Sequence, residues 1–209
     1  MIFKRRFVQV LTPLLVASVL VLLIWTIFFN EDTLNSWPWF VTRAAAITAY
    51  FLLFLMIAMG ELMAEGTLYE YMEPPRAWLI HKYLGISFGL ALLTHLVALL
   101  FDNFLPFGLA DIFIPFHATY RPLAVALGIV GFYLIVMLLT SSLISNLQHR
   151  SWWRRLHFLA YPVLVFGLFH GLLSGSDSGN IFMLLLYITT GMIFCVLLVR
   201  RFLLARSRR

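Results

Sequence analysis

The segment WLIHKYLGISFGLALLTHLVALLF, residues 78–101, decides the fold. It carries one cation, Lys82, and no acid, and it exceeds the roughly 20 apolar residues that a helix needs to cross a hydrocarbon layer of about 30 Å. Two histidines interrupt it. From His81 to His95 the chain advances 14 residues, a rise of about 21 Å, which sets one imidazole near each face of the hydrocarbon. Fourteen steps of about 100° fall about 40° short of four turns, so both rings leave the helix on nearly the same side.

Five further apolar runs surround this one, at about 7–29, 40–63, 123–147, 156–173 and 181–199. The reading is therefore an all-α membrane protein, a six-helix transmembrane bundle forming a single domain over 1–209. Composition agrees: 62% of the 209 residues are hydrophobic and 11% charged, against roughly half and a quarter in soluble domains. A soluble globular enzyme is excluded, and six spans leave no length for a nucleotide-binding domain. The first run follows Lys4-Arg5-Arg6 as a signal peptide would. Its length and the lack of a small-residue cleavage site after Phe29 make it a retained helix.

Orientation follows from the fifteen Lys and Arg residues. Threading six spans puts all of them on one side except Arg43 and Arg121, and the basic side is cytoplasmic. The expected location is the inner (cytoplasmic) cell membrane, multi-pass, with both termini cytoplasmic. The same threading places Glu31, Asp32, Asp102, Asp111 and Asp177 outside, and Trp37, Trp39, Trp78, Trp152 and Trp153 at span ends, where amphipathic rings settle. The net charge of +6 is thus topological and implies lipid rather than nucleic acid as the partner. Cys195, the single cysteine, can form no disulfide within the chain and reads as packing.

Ionisable side chains at membrane depth need a partner or a function. Besides His81 and His95, the fifth run holds His157 and His170, while His117 and His149 fall in loops. His157 to His170 is 13 residues, about 20 Å of rise but about 140° away from a shared face on an ideal helix. Pro162 lies between them and can rewind the span locally. Because the two histidine-bearing spans run in the same direction, His81 pairs in depth with His157, and His95 with His170. Paired imidazoles in an apolar bundle suit the two axial positions of haem iron better than zinc, which asks for more protein ligands. Haem b is the expected cofactor, two copies with bis-histidine ligation, since no Cys-x-x-Cys-His occurs for covalent attachment. Gly85, Gly89 and Gly167 offer small surfaces beside a macrocycle. Arg43 and Arg121 outside, with Lys82, Arg154 and their neighbours Arg76 and Arg155 inside, are candidates to neutralise propionates.

On these residues the sequence resembles the ferric reductase-like transmembrane domain, the haem core of ferric reductases, NADPH oxidases and MsrQ-type bacterial membrane subunits. The likeness rests on His81-Lys82 with His95, on Trp153-Arg154-Arg155-Leu156-His157 with His170-Gly171, and on Thr42-Arg43-Ala44, and covers about 40–201. It implies a transmembrane electron wire, with an inner haem on His81 and His157, an outer haem on His95 and His170, and Arg43 beside the outer one. Ferric reductases and oxidases continue into a soluble FAD and NADPH domain. This chain ends at Arg209, so the expected donor is a cytosolic flavin reductase or the quinone pool, and the acceptor a redox protein outside the membrane. MsrQ-type subunits can lack a histidine at the position of His81, where this chain has one. The rival readings are a terminal reductase of ferric iron or dioxygen at the outer haem, a quinol-oxidising cytochrome b of another four-helix family, and a transporter using the histidines as proton relays, with Glu61 the one acid within a span.

Overall fold

The computed structural model describes residues 31–144 and 151–207. Among these the chain is helical throughout: α1 is Glu31–Glu65, α2 Pro74–Leu99, α3 Leu109–Phe113, α4 Pro122–Leu143, α5 Ser151–His157, α6 Ala160–Ser174 and α7 Ile181–Ser207, with a 3-10 turn at Thr67–Glu70. Five stretches are long and apolar enough to cross a membrane, α5 and α6 together making one of them. The protein is a helical transmembrane protein with at least these five spans. The expected first span at 7–29, its flank Lys4 to Arg6, and His149, Arg150, Arg208 and Arg209 lie outside the described residues.

Local chemistry sets the helix limits. Gly66, at φ 88°, ends α1 in a left-handed conformation that its missing Cβ makes inexpensive, and its amide donates to the Met63 carbonyl. Pro74 and Pro75 open α2 and Pro122 opens α4, positions where a missing N–H costs nothing. Two limits differ from the sequence reading. The second span begins at Ser36 rather than about residue 40, within a helix that already includes Glu31. The last helix continues past the expected end at about residue 199 through Arg200 and Arg201, its span reaching Leu204, since arginine is a good helix former even where it ends an apolar run.

The third difference is the break between α5 and α6. Pro162 cannot donate to the carbonyl of Phe158, and the chain tightens there: the amides of Phe158, Leu159 and Tyr161 donate to the carbonyls three residues back, Arg155, Leu156 and Phe158. A 3-10 step turns about 120° instead of about 100°, so three or four such steps add about 60–80°. That removes roughly half of the 140° by which an ideal helix would separate His157 from His170.

α1 packs against α2, α6 and α7, and α6 also against α4. Tyr50, Leu53, Phe54 and Ile57 of α1, Phe88 of α2, Ile135 and Leu138 of α4, Val163 and Leu164 of α6 and Tyr187 of α7 form one buried apolar cluster. Phe88 is seven residues from both His81 and His95, and Val163 and Leu164 lie between His157 and His170. The core is thus an apolar plug between two polar levels, called here the Glu61 level and the Arg43 level.

Candidate functional site

At the Arg43 level α2 and α6 bring His95 and His170 to a ring-centre separation of 6.4 Å. His95 Nδ1 lies 3.0 Å from the Thr42 carbonyl of α1, and His170 Nδ1 lies 2.8 Å from the Ala124 carbonyl of α4. A carbonyl can only accept, so Nδ1 carries the proton in both rings and Nε2 keeps its lone pair. Both rings line a cavity of about 490 Å³ that extends past Tyr50, Leu53 and Phe88 toward the core and past Trp39, Asp102 and Asp111 toward the α2–α4 loop. Its size falls within the range of small-molecule and cofactor sites.

Charge gathers at the mouth of this cavity. Arg43 makes a two-pronged contact with Asp177 of the α6–α7 loop, Nε donating to Oδ2 at 2.6 Å and Nη2 to Oδ1, and its guanidinium lies 3.8 Å from the Trp39 ring centre. Arg43 therefore already has a carboxylate partner. Arg121 caps α4 with φ 41° and donates to the Leu173 carbonyl, holding the start of α4 against the end of α6. Beyond the mouth, Asp111 accepts from His117 Nδ1 at 2.7 Å and from the Gly108 amide at 2.8 Å. These two hydrogen bonds, the His117 one foremost, hold the Asp111 carboxyl below the usual carboxylate range.

At the Glu61 level α2 and α5 bring His81 and His157 to 6.5 Å between ring centres. Trp153, one turn before His157, stacks on it at 4.7 Å and 27°. The Nδ1 atoms of both histidines and the indole Nε1 of Trp153 are buried with no hydrogen-bond partner among the described residues. Lys82 is exposed, its ammonium 5.5 Å from the Trp78 ring centre, and Arg154 is exposed at the same end.

None of the three glycines read from sequence faces a histidine. A Cβ on Gly89 would meet nothing within 4 Å, one on Gly85 would meet Met56, and one on Gly167 would meet Leu53 and Tyr50. The close approaches to histidine rings belong to Gly128 and Gly60. A Cβ on Gly128 would sit 2.6 Å from His170 Nδ1, and one on Gly60 would sit 3.1 Å from His81 Cε1. Asp177 was likewise missed. Its one sequence signal is a lone acid seven residues beyond His170.

The two levels share one donor set. Two metal–nitrogen bonds of about 2 Å, with about 1 Å from each nitrogen to its ring centre, sum to about 6 Å, close to both observed separations. Among the described residues no group of three or more His, Cys, Asp or Glu converges, so each level offers two nitrogen ligands and leaves the remaining positions of a metal to a non-protein ligand. A porphyrin is a ligand of that kind, and at the Arg43 level the cavity lined by His95 and His170 gives it space. No family model, no curated protein and no solved structure matches the chain, so the reading of this site stands on its own geometry.

Proposed function

We propose that the protein is a diheme b-type cytochrome that relays electrons across the cytoplasmic membrane, as the resemblance to ferric reductase-like domains implies. The observation that carries this reading is the recurrence, at two levels of one bundle, of facing histidines with ring centres 6.4 and 6.5 Å apart. Haem b, when bound, supplies a one-electron iron centre at each level. The chain's own residues do the rest. His81 and His157 would hold the group on the cytoplasmic side and His95 and His170 the group on the outer side. The Thr42 and Ala124 carbonyls fix the tautomer and plane of the outer rings. The apolar cluster around Phe88, Tyr50 and Val163 excludes water between the levels. Arg43 would meet a propionate in competition with Asp177, with Arg121, Lys82 and Arg154 at the rims.

The levels lie about 21 Å apart along α2, too far for direct contact and within a membrane's hydrocarbon depth. Electrons would enter at the cytoplasmic rim from a flavin reductase or a quinol and leave outside to a redox protein. A second reading, a terminal reductase at the outer pair, is favoured by the cavity there, which runs from His95 and His170 to the carboxylates Asp102, Asp111 and Asp177 and would draw a cationic acceptor such as a ferric ion.

A reduced-minus-oxidised visible spectrum with pyridine haemochrome stoichiometry tests the proposal. Two b-type haems per chain are expected, and a haem-replete preparation without b-type bands rejects it. His81→Ala and His157→Ala are expected to lose one and the same spectral component, and His95→Ala and His170→Ala the other. Rapid ferric chelate reduction by the reduced protein alone would favour the second reading.

A further inference from the structure

The segment between α2 and α4 reads from sequence as a loop outside the membrane, and its contacts set it lower. Tyr133 of α4 donates to the Phe113 carbonyl at 2.8 Å, and the rings of Phe113 and Phe132 lie 5.9 Å apart. Phe132 and Tyr133 are ten and eleven residues past Pro122, about 15 Å of rise from the start of α4. A tyrosine in a helix leans back toward the N-terminus by about one turn, so the end of α3 meets α4 about 10 Å below its start. That is close to the level of Gly128, which faces His170. The chain thus leaves the end of α2, dips along α4 as far as Phe113 and climbs again to Arg121. Ile112 is buried and lines the Arg43-level cavity, as do Leu105, Phe107 and Tyr120. The other face is apolar and open: Phe104, Leu109, Ile114 and Phe116 are each more than half exposed.

A loop bathed in water hands its polar groups to solvent and hides its large apolar ones, and this segment does the reverse. Between Asp102 and Arg121 its only acid, base or histidine side chains are Asp111 and His117, which pair with each other at 2.7 Å. Asp111 also accepts from the Gly108 amide, and Asp102 accepts from the amides of Phe104 and Leu105. The amides of Ile114 and His117 donate to the Ala110 and Ile114 carbonyls, and Pro106 and Pro115 have no N–H to place. Irregular backbone persists at membrane depth only where its polar groups are met by the protein. Phe116 adds an independent sign. Its φ of 67° is costly for a bulky residue, and a ring that is mostly exposed recovers little of that cost from the protein. The open face also continues in sequence from a lipid-facing stripe, Leu90, Leu93 and Val97 of α2 and Phe101 just beyond it. We infer that residues 104–117 form a re-entrant element whose open face lies among the lipid acyl chains of the leaflet at the Arg43 level. The occupant of that face is lipid, and the cavity wall on this side is backed by lipid. Polar approach to the cavity is left to the α6–α7 loop, whose Ser176, Asp177 and Ser178 line it. This placement requires neither haem nor a given direction of insertion.

The test uses the full chain in lipid nanodiscs, spin-labelled at single cysteines in a Cys195→Ser background. Leu109→Cys and Ile114→Cys probe the segment. Leu90→Cys, on the exposed face of α2, marks the acyl chains, and Gly179→Cys in the α6–α7 loop marks water. Power saturation compares contact with dissolved oxygen, which concentrates in lipid, and with a neutral nickel chelate, which stays in water. The labels at 109 and 114 are expected to favour oxygen and to group with Leu90→Cys. Either label grouping with Gly179→Cys overturns the assignment and leaves the apolar face to a soluble protein partner. A second readout needs no substitution: a phospholipid carrying a diazirine on its acyl chain, photolysed around the wild-type protein, is expected to mark peptides from 104–117 and from α2 but none from 175–180. Marking of α2 without 104–117 overturns the assignment equally.

Discussion

Gly128 shows how little space the site leaves. Its position on α4 faces the His170 ring, and the 2.6 Å that a Cβ would have to Nδ1 is shorter than any real contact. Neither side can yield, because the ring is held by the Ala124 carbonyl one turn earlier on the same helix. Gly128→Ala must then push α4 away or rotate His170 off its acceptor. Overpacking of this kind costs about 1–3 kcal/mol, and here the cost falls on one ligand. The expected result is a lower thermal midpoint and loss of the outer haem component, with the inner component retained at wild-type stoichiometry. Gly60→Ala meets His81 at 3.1 Å and should weaken the inner component less. Loss of both components in Gly128→Ala would show that the two levels are not independent. None of this was visible in sequence, where every glycine of a membrane helix reads alike. Whether a glycine is vacant space or a seat depends on the neighbouring helix, and α4 carries no histidine, acid or cation to announce its part.

At the scale of elements, the spans were legible because hydropathy over about 20 residues records burial in lipid directly. Their limits were less so, since Arg200 and Arg201 are helical for reasons that hydropathy does not measure. The histidine spacing on α2 could be read at once because that helix is continuous between His81 and His95. The spacing on the fifth span could not, because its solution is a local change of winding. Pro162 marked the place, and the three-residue-back bonds of Phe158, Leu159 and Tyr161 are how the chain used it. The argument makes the break a device for phase, so changing the phase should break one site only. Inserting one alanine between Leu159 and Ala160 turns His157 by about 100° and shifts it by about 1.5 Å relative to His170. The expected outcome is loss of the inner haem component with the outer one intact, read from the reduced-minus-oxidised spectrum. Retention of both would mean that α5 moves independently of α6 and that the 3-10 winding is incidental.

Across the whole molecule the charges divide along the bundle. Among the described residues Arg76, Lys82, Arg154, Arg155, Arg200, Arg201 and Arg206 lie at or beyond the Glu61 level, while Arg43 and Arg121 alone lie at the other end, occupied by Asp177 and by the Leu173 carbonyl respectively. Under the positive-inside rule that division predicts a cytoplasmic Glu61 level, and the proposed direction of electron flow depends on it. The molecule offers a direct assay because Cys195 is its single cysteine. In a Cys195→Ser background, Gly179→Cys places a thiol in the α6–α7 loop, where a Cβ meets nothing within 4 Å. Tyr71→Cys places one between α1 and α2, at a position 84% exposed. A membrane-impermeant maleimide applied to intact cells with a permeable outer envelope should label Gly179→Cys and leave Tyr71→Cys unlabelled until the membrane is lysed. The opposite pattern would invert the proposed wire: Glu61 and the basic rim would face outward, and the Arg43 cavity with its three carboxylates would open to the cytoplasm. The histidine geometry would survive that result unchanged, since it depends on the packing of α1, α2, α4, α5 and α6 and not on which face of the membrane they meet.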